Sequence, residues 1–311
     1  MELSLALMKD IASMLLWIIL GYAVVRIRLV RPEDSRVLSV LTVYVFCPCM
    51  IFGALQIELT KARLHGFLSV VGFAFVVYAV WILLTRLLKK PLHLDPVDSA
   101  SLVYGNVGNL VIPLVGMTLG EEMMFYASAM QIPFNLFFWT HGISIMQEQP
   151  HVDWKKLLRN PNIFAVVLGL LFLAFQWHLP PVLDTTVSGL GRVVLPTSMM
   201  VIGMVLAGTS LKSVFANGKA YAIAAGRLVL FPLIALLVLF LSGVPARHPE
   251  LVPVLMVPFL AQSAPAAANV AQLAVVFQQR PEEASIYNIL STALCILTMP
   301  AMLWLYQLLF V

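Results

Sequence analysis

Two clusters of polar residues interrupt long apolar runs in this sequence. Tyr104–Leu114 reads Y-G-N-V-G-N-L-V-I-P-L inside the run Ser99–Leu119, and Val257–Asn269 reads V-P-F-L-A-Q-S-A-P-A-A-A-N inside Leu251–Phe277. Asn106, Asn109, Gln262, Ser263 and Asn269 offer neutral donors and acceptors, which cost less to desolvate than charges. Gly105 and Gly108 weaken the first helix, and Pro113 removes a donor and clashes with the carbonyl of Asn109, so a break is expected near Asn106–Asn109. Pro265 marks the second break. Each break exposes a half-helix N-terminus with unsatisfied N–H groups and partial positive charge, which suits a carboxylate. The half-helix C-termini and freed carbonyls, near Asn109 and Ala261, suit a cation instead. Ser263 is expected to cap one new start, with Pro265 in its first turn, and Asn109 the other. The same amides also suit a purely structural task, hydrogen-bonding broken backbone within a bilayer.

Charges within the apolar runs are few. Arg227 lies about eight residues into one of them; it either supplies charge for an anionic substrate or snorkels to the interface. Arg192 reads as an interfacial residue. Asp98, Glu121, Glu122, Asp184, Glu282 and Glu283 fall near span ends, so a relay or sodium site built on buried carboxylates is not supported. His141 can titrate or serve as a hydrogen-bonded structural residue. Gln131, Pro133 and Asn135, and in the second half Asn288, Ser291 and Thr292, form polar stripes that either glue helices together or line a cavity beside the breaks. Enzyme signatures such as Walker A, H-E-x-x-H and G-x-S-x-G are absent, and no cofactor or metal is called for. Cys47–Cys49 (C-P-C) has the spacing of an intramembrane metal motif of heavy-metal pumps. No loop here is long enough for the phosphorylation and nucleotide domains those pumps require.

These residues need a membrane scaffold around them. The chain has 311 residues, 61% hydrophobic and 11% charged, with mean hydropathy +0.94. That balance is expected of an all-α polytopic membrane protein, and the pI of about 9.0 reflects loop cations rather than nucleic-acid binding. Ten transmembrane helices are expected, at roughly 8–25, 38–57, 67–88, 98–119, 122–146, 161–178, 184–208, 219–242, 251–277 and 284–309. The odd-numbered loops carry 13 Lys and Arg, the other loops and termini 4, so both termini are expected outside. The halves repeat: kinks at Pro48 and Pro196, breaks near Pro113 and Pro265, and E-E-M-M-F-Y (Glu121–Tyr126) answered by E-E-A-S-I-Y (Glu282–Tyr287). Five spans per half reverse the second copy, giving two inverted five-helix repeats, 1–147 and 161–311, joined by a basic cytoplasmic linker, 148–160.

At these residues the sequence resembles the auxin efflux carrier family of transporters, in its bacterial branch. G-N-V-G-N-L-V-I-P-L (Gly105–Leu114) is similar to that family's G-N-x-G-x-x-x-I-P-L crossover. P-A-A-A-N (Pro265–Asn269), E-E-A-S (Glu282–Ser285), L-S-T-A-L…T-M-P (Leu290–Pro300) and P-T-S-M-M-V-I-G-M-V-L-A-G (Pro196–Gly208) are similar to its later spans. The resemblance implies broken crossover helices 4 and 9, a scaffold of spans 1, 2, 6 and 7, and a moving domain of spans 3–5 and 8–10. It also implies a homodimer in a bacterial inner membrane. Asn106, Pro113 and Pro265 map onto the family's crossover asparagine and prolines. Asn109 stands where many members are apolar, and F-C-P-C replaces the common A-L-P-A of span 2.

The function expected is secondary active transport of a small organic anion, a carboxylate or auxin-like molecule, by elevator-type alternating access, with H+ or Na+ coupling open. The substrate is expected at Asn106, Asn109, Gln262, Ser263, Asn269 and Arg227. The competing readings are a sodium-coupled bile-acid-type transporter with the same crossover fold, and a membrane ligand sensor.

Overall fold

The computed structural model describes residues 2–58, 60–147 and 159–311, so nearly all of the expected linker 148–160 lies outside the described residues. Among the described residues the regular elements are helices, joined at one isolated β-bridge. Five helices are long and apolar enough to cross a membrane: Pro32–Ala54, Lys61–Lys89, Pro181–Gly208, Gly218–Ser242 and Pro281–Phe310. Shorter apolar helices include Ala12–Arg26, Val107–Leu119, Pro161–Phe175 and Pro249–Gln262.

Several of these helices are interrupted, and proline explains most of the interruptions. Wide π turns occupy Thr42–Phe46, Val107–Val111 and Gly226–Leu230, and in each case a proline follows two residues later: Pro48, Pro113 and Pro232. Proline lacks an N–H and its ring pushes against the carbonyl four residues back; widening the preceding turn relieves both problems without ending the helix. The expected break near Asn106–Asn109 is therefore displaced. Val107–Leu119 runs as one apolar helix through Asn109 and Pro113, and the backbone unwinds earlier, at Tyr104–Asn106. In the second run the helix ends at Gln262 and resumes at Ala268.

Close packing builds two neighbourhoods of helices, which meet where Glu2–Arg26 also lies against Pro281–Phe310. Glu2–Arg26 lies against Val194–Gly208, and Cys47–Ala54 lies against Pro161–Phe175 and Pro181–Arg192. The first pair meets backbone to backbone: a Cβ on Gly21 would fall 2.1 Å from the Met200 carbonyl oxygen, and one on Gly203 2.0 Å from that of Ile18. Small residues at such contacts are how membrane helices gain dispersion energy when lipid is as apolar as the partner. In the other neighbourhood Lys61–Lys89 lies against Val252–Gln262, and Pro281–Phe310 against Gly218–Ala225 and Ala268–Val276. Aromatic pairs fill it, with ring centroids 4.6 Å apart for the tilted pair Trp81–Phe231 and 5.1 Å for the stacked pair Phe259–Tyr306.

A polar cluster closes one end of this second neighbourhood. Lys219 bridges Asp95 at 3.2 Å and the fully buried Asp98 at 2.6 Å, and Arg280 pairs with Asp95 and Glu283. Tyr287 donates to Asp98 at 2.9 Å and to Glu283 at 3.1 Å. Asp98 is thus near a helix end as the sequence suggests, but it is sealed from solvent because Lys219 and Tyr287 satisfy it.

Candidate binding site

The two unwound stretches pair with each other. Gly105 and Ala266 form an antiparallel bridge. The Asn106 N–H donates to the Pro265 carbonyl at 2.8 Å, and the Ala267 N–H to the Tyr104 carbonyl at 2.9 Å. Buried backbone groups must find partners, and here each break supplies the other's. The groups left over are met by side chains. The Ala266 N–H donates to Ser291 Oγ at 3.1 Å, and Asn288 Nδ2 donates to the Ala266 carbonyl at 2.6 Å. Asn288 and Ser291 of the second polar stripe therefore support a break.

Arg227 meets the remaining carbonyls. Its Nε donates to Ala264 at 2.9 Å, its Nη1 to Leu102 at 3.2 Å and Val103 at 3.4 Å, and its Nη2 to Ala261 at 3.3 Å. Leu102 and Val103 end one helix and Ala261 lies at the end of the other, so one guanidinium caps both C-terminal ends. Gly105 makes room for it: a Cβ there would lie 1.9 Å from Arg227 Nη2.

A cavity of about 350 Å³ adjoins the paired breaks, bordered by the first turns of both resumed helices. Asn106, Val107, Gly108 and Asn109 border it from one break, Ala267 and Asn269 from the other. Gln131, Asn135, Phe134, Phe138 and Trp139 form another wall, and Val43, Tyr44 and Cys47 face them. Gly108 lets its helix approach that wall, since a Cβ there would fall 2.7 Å from Gln131 Nε2. Asn135 Nδ2 donates to the Gln131 carbonyl at 2.8 Å and to its Oε1 at 3.2 Å, which fixes both amides. Asn160, Pro161 and Asn162 complete the lining with Arg159, the one charged residue among the described residues that border it. Asn160 caps its helix by accepting from the Asn162 N–H at 2.9 Å, and Asn162 Nδ2 donates to the Val43 carbonyl at 3.3 Å, in the π turn before Pro48.

The expected site residues thus separate. Asn106, Asn109 and Asn269 border the cavity; Gln262, Ser263 and Arg227 do not. Gln262 is fully buried, and its Oε1 accepts from Trp81 Nε1 at 2.8 Å. Ser263 ends the first half-helix rather than capping the second, and its hydroxyl donates back to the Phe259 carbonyl at 3.2 Å. Asn109 is likewise no N-cap: it is the third residue of its helix, and the cap position is Asn106. Pro113 lies a turn inside its helix and Pro265 within the bridge. His141 shares a 2.9 Å hydrogen bond with Tyr104 and is not among the residues that border the cavity. Arg192 is exposed. Arg159 and Asn160 fall in the expected basic linker and Asn162 just beyond it, and none of the three is among the expected site residues; the signal present was N-P-N at the start of an apolar run.

The sequence matches the membrane transport protein family over residues 6–152 and 150–303, nearly its whole length. The chain belongs to that family. It is an integral membrane protein, and its family is one of transport proteins rather than enzymes. Among curated relatives, auxin efflux carrier component 3a of Oryza sativa subsp. japonica is 35% identical over 74 residues, 22% of this chain and 12% of that protein. Auxin efflux carrier component 3 of Arabidopsis thaliana is 34% identical over 58 residues, 17% of this chain and 9% of the relative. The matched stretches span about a tenth of these relatives' length. The family read from the crossover-like motifs is therefore the family the chain belongs to.

Proposed function

We propose that this protein is a secondary active transporter of a small organic anion, carrying a carboxylate across a bacterial inner membrane by alternating access. The observation that carries the reading is the cavity: it adjoins the N-terminal turns of two resumed helices, is lined by neutral amides, and has Arg159 at its edge. Helix N-termini and a guanidinium are both complementary to a carboxylate, while Phe134, Phe138 and Trp139 suit the organic remainder. Asn106, Asn109 and Asn269 are proposed to hold the carboxylate, with Gln131 and Asn135 beside them.

Ten spans in two inverted five-helix repeats, with both termini outside, are part of the same proposal. The antiparallel course of the two breaks supports it, because an inverted repeat reverses the second chain direction. In that arrangement the cavity lies between a scaffold of spans 1, 2, 6 and 7 and a domain of spans 3–5 and 8–10 that slides as an elevator. Arg159 belongs to the linker that loop charge assigns to the cytoplasm, and its place at the cavity supports reading this state as inward-facing. A homodimer through the scaffold belongs to the same proposal, supported by the family resemblance alone.

The test is counterflow in proteoliposomes. Liposomes loaded with an excess of a candidate carboxylate should accumulate its labelled form when the protein is present, and Asn106→Ala should lower that accumulation about tenfold at subsaturating substrate, equivalent to ~1.4 kcal/mol. Equal counterflow for the variant and wild type across the carboxylates tested contradicts the assignment.

A further inference from the structure

The seat of Arg227 is built like an ion site. Four backbone carbonyls, from Leu102, Val103, Ala261 and Ala264, converge on one guanidinium. Those of Leu102, Val103 and Ala261 belong to the negative ends of two helix dipoles, with Ala264 just past the second end, and freed carbonyls at broken-helix C-termini are where transporters hold a coupling cation. Arg227 is 1% exposed, and no carboxylate pairs with it among the described residues. An unpaired buried charge is costly, so those dipoles and carbonyls are its counter-charge. The backbone is fitted to it: Gly105 has no room for a Cβ beside Nη2, and a Cβ on Gly226 would fall 2.8 Å from Leu102 Cδ2, so Gly226 brings the arginine's own helix close to the break. Arginine stays protonated under physiological conditions.

We propose that the Arg227 guanidinium is a resident cation, tethered in the seat between the two broken-helix C-termini that a free sodium or potassium ion would otherwise fill. This rests on the transporter reading only for its consequence in flux; the seat is a feature of the fold. Arg227 is a positioning residue. It holds the ends of both breaks, and through the bridge it sets Asn106 and Ala267 at the cavity. The carrier then carries its own positive charge and needs no bound metal cation to complete the site.

The test uses the purified full chain. Arg227→Ala should melt several degrees below wild type and regain most of that loss in low-millimolar methylguanidinium, while urea at the same concentration does nothing and wild type is not stabilised. Arg227→Lys, which keeps the charge, should melt several degrees above the apolar Arg227→Met. For wild type, exchanging sodium for potassium or choline at constant ionic strength should alter neither melting temperature nor anion flux. Equal melting of Arg227→Lys and Arg227→Met, no selective recovery by methylguanidinium in folded Arg227→Ala, or sodium-dependent stabilisation of wild type would each overturn the proposal. Methylguanidinium recovery together with an absence of anion flux would uphold the seat and defeat the transport reading; sodium-driven flux would do the reverse.

Discussion

The carboxylate proposal depends on a small number of neutral amides and one cation. Asn106 is the junction: its backbone joins the second break, and the residue borders the cavity. Arg159 is exposed, so its contribution should be screened by salt. Arg159→Ala is expected to raise the apparent KM for a carboxylate several-fold at low ionic strength and much less at 0.5 M salt; a salt-independent effect would assign it a packing role. Asp95 gives a pH prediction. Burial opposes its charge, but the Asp98 N–H, Lys219 and Arg280 outweigh burial and hold its carboxyl below the ordinary value of 3.8. A depressed folded-state value stabilises the native state above the unfolded value, and that stability is lost as pH falls through the folded one. Wild type should therefore lose melting temperature below about pH 4, and Asp95→Asn should lose less over the same interval. Parallel curves would show that Asp95 contributes nothing to acid stability. At this scale Asn106, Asn109 and Asn269 were legible because amides are rare in apolar runs. Ser263 was misread because a serine before a proline signals a helix start, whereas its hydroxyl returns to Phe259 and ends a helix instead.

Prolines mark interruptions, but the kind of interruption depends on what accepts the freed backbone. Pro113 and Pro232 are absorbed by π turns, while Pro265 stands in a true break whose carbonyl is taken by Asn106. The sequence announces the proline and not the remedy, because a π turn needs only local rearrangement and a bridge needs a partner about 160 residues away. Pro265→Ala should lower melting temperature and flux together, since it adds a buried N–H at the bridge; unchanged flux would sever the bridge from function. Gly105→Ala should be as damaging as the loss of Arg227, because its Cβ meets the guanidinium. The two changes should be strongly non-additive in a double-mutant cycle, with Arg227→Ala/Gly105→Ala no less stable than Arg227→Ala alone. Additive losses would mean that the glycine serves something other than the arginine.

The membrane class and family were fully legible across the molecule, because composition and apolar runs are global properties. The cavity was only half legible. Its breaks carry sequence signals, whereas Val43, Tyr44, Cys47 and Asn160–Asn162 join it through packing between distant helices. Those two sets belong to the proposed scaffold and moving domain, so the cavity should change shape as they slide. The thiol of Cys47 borders it and gives a native reporter. If a carboxylate occupies this space, it should slow modification of Cys47 by a small thiol reagent in a Cys49→Ser, Cys295→Ser background, and Asn106→Ala should abolish the protection at the same ligand concentration. Modification unaffected by any transported anion would place the substrate elsewhere.

The most direct measurement is labelled-carboxylate counterflow in proteoliposomes, comparing wild type with Asn106→Ala and Asn269→Ala at matched, folded protein levels. Wild type should show accumulation that saturates with substrate, is inhibited by competing carboxylates, and falls about tenfold in either variant at subsaturating substrate. Accumulation equal in all three proteins would contradict the assignment, because the cavity beside the paired breaks would then take no part in recognising the anion.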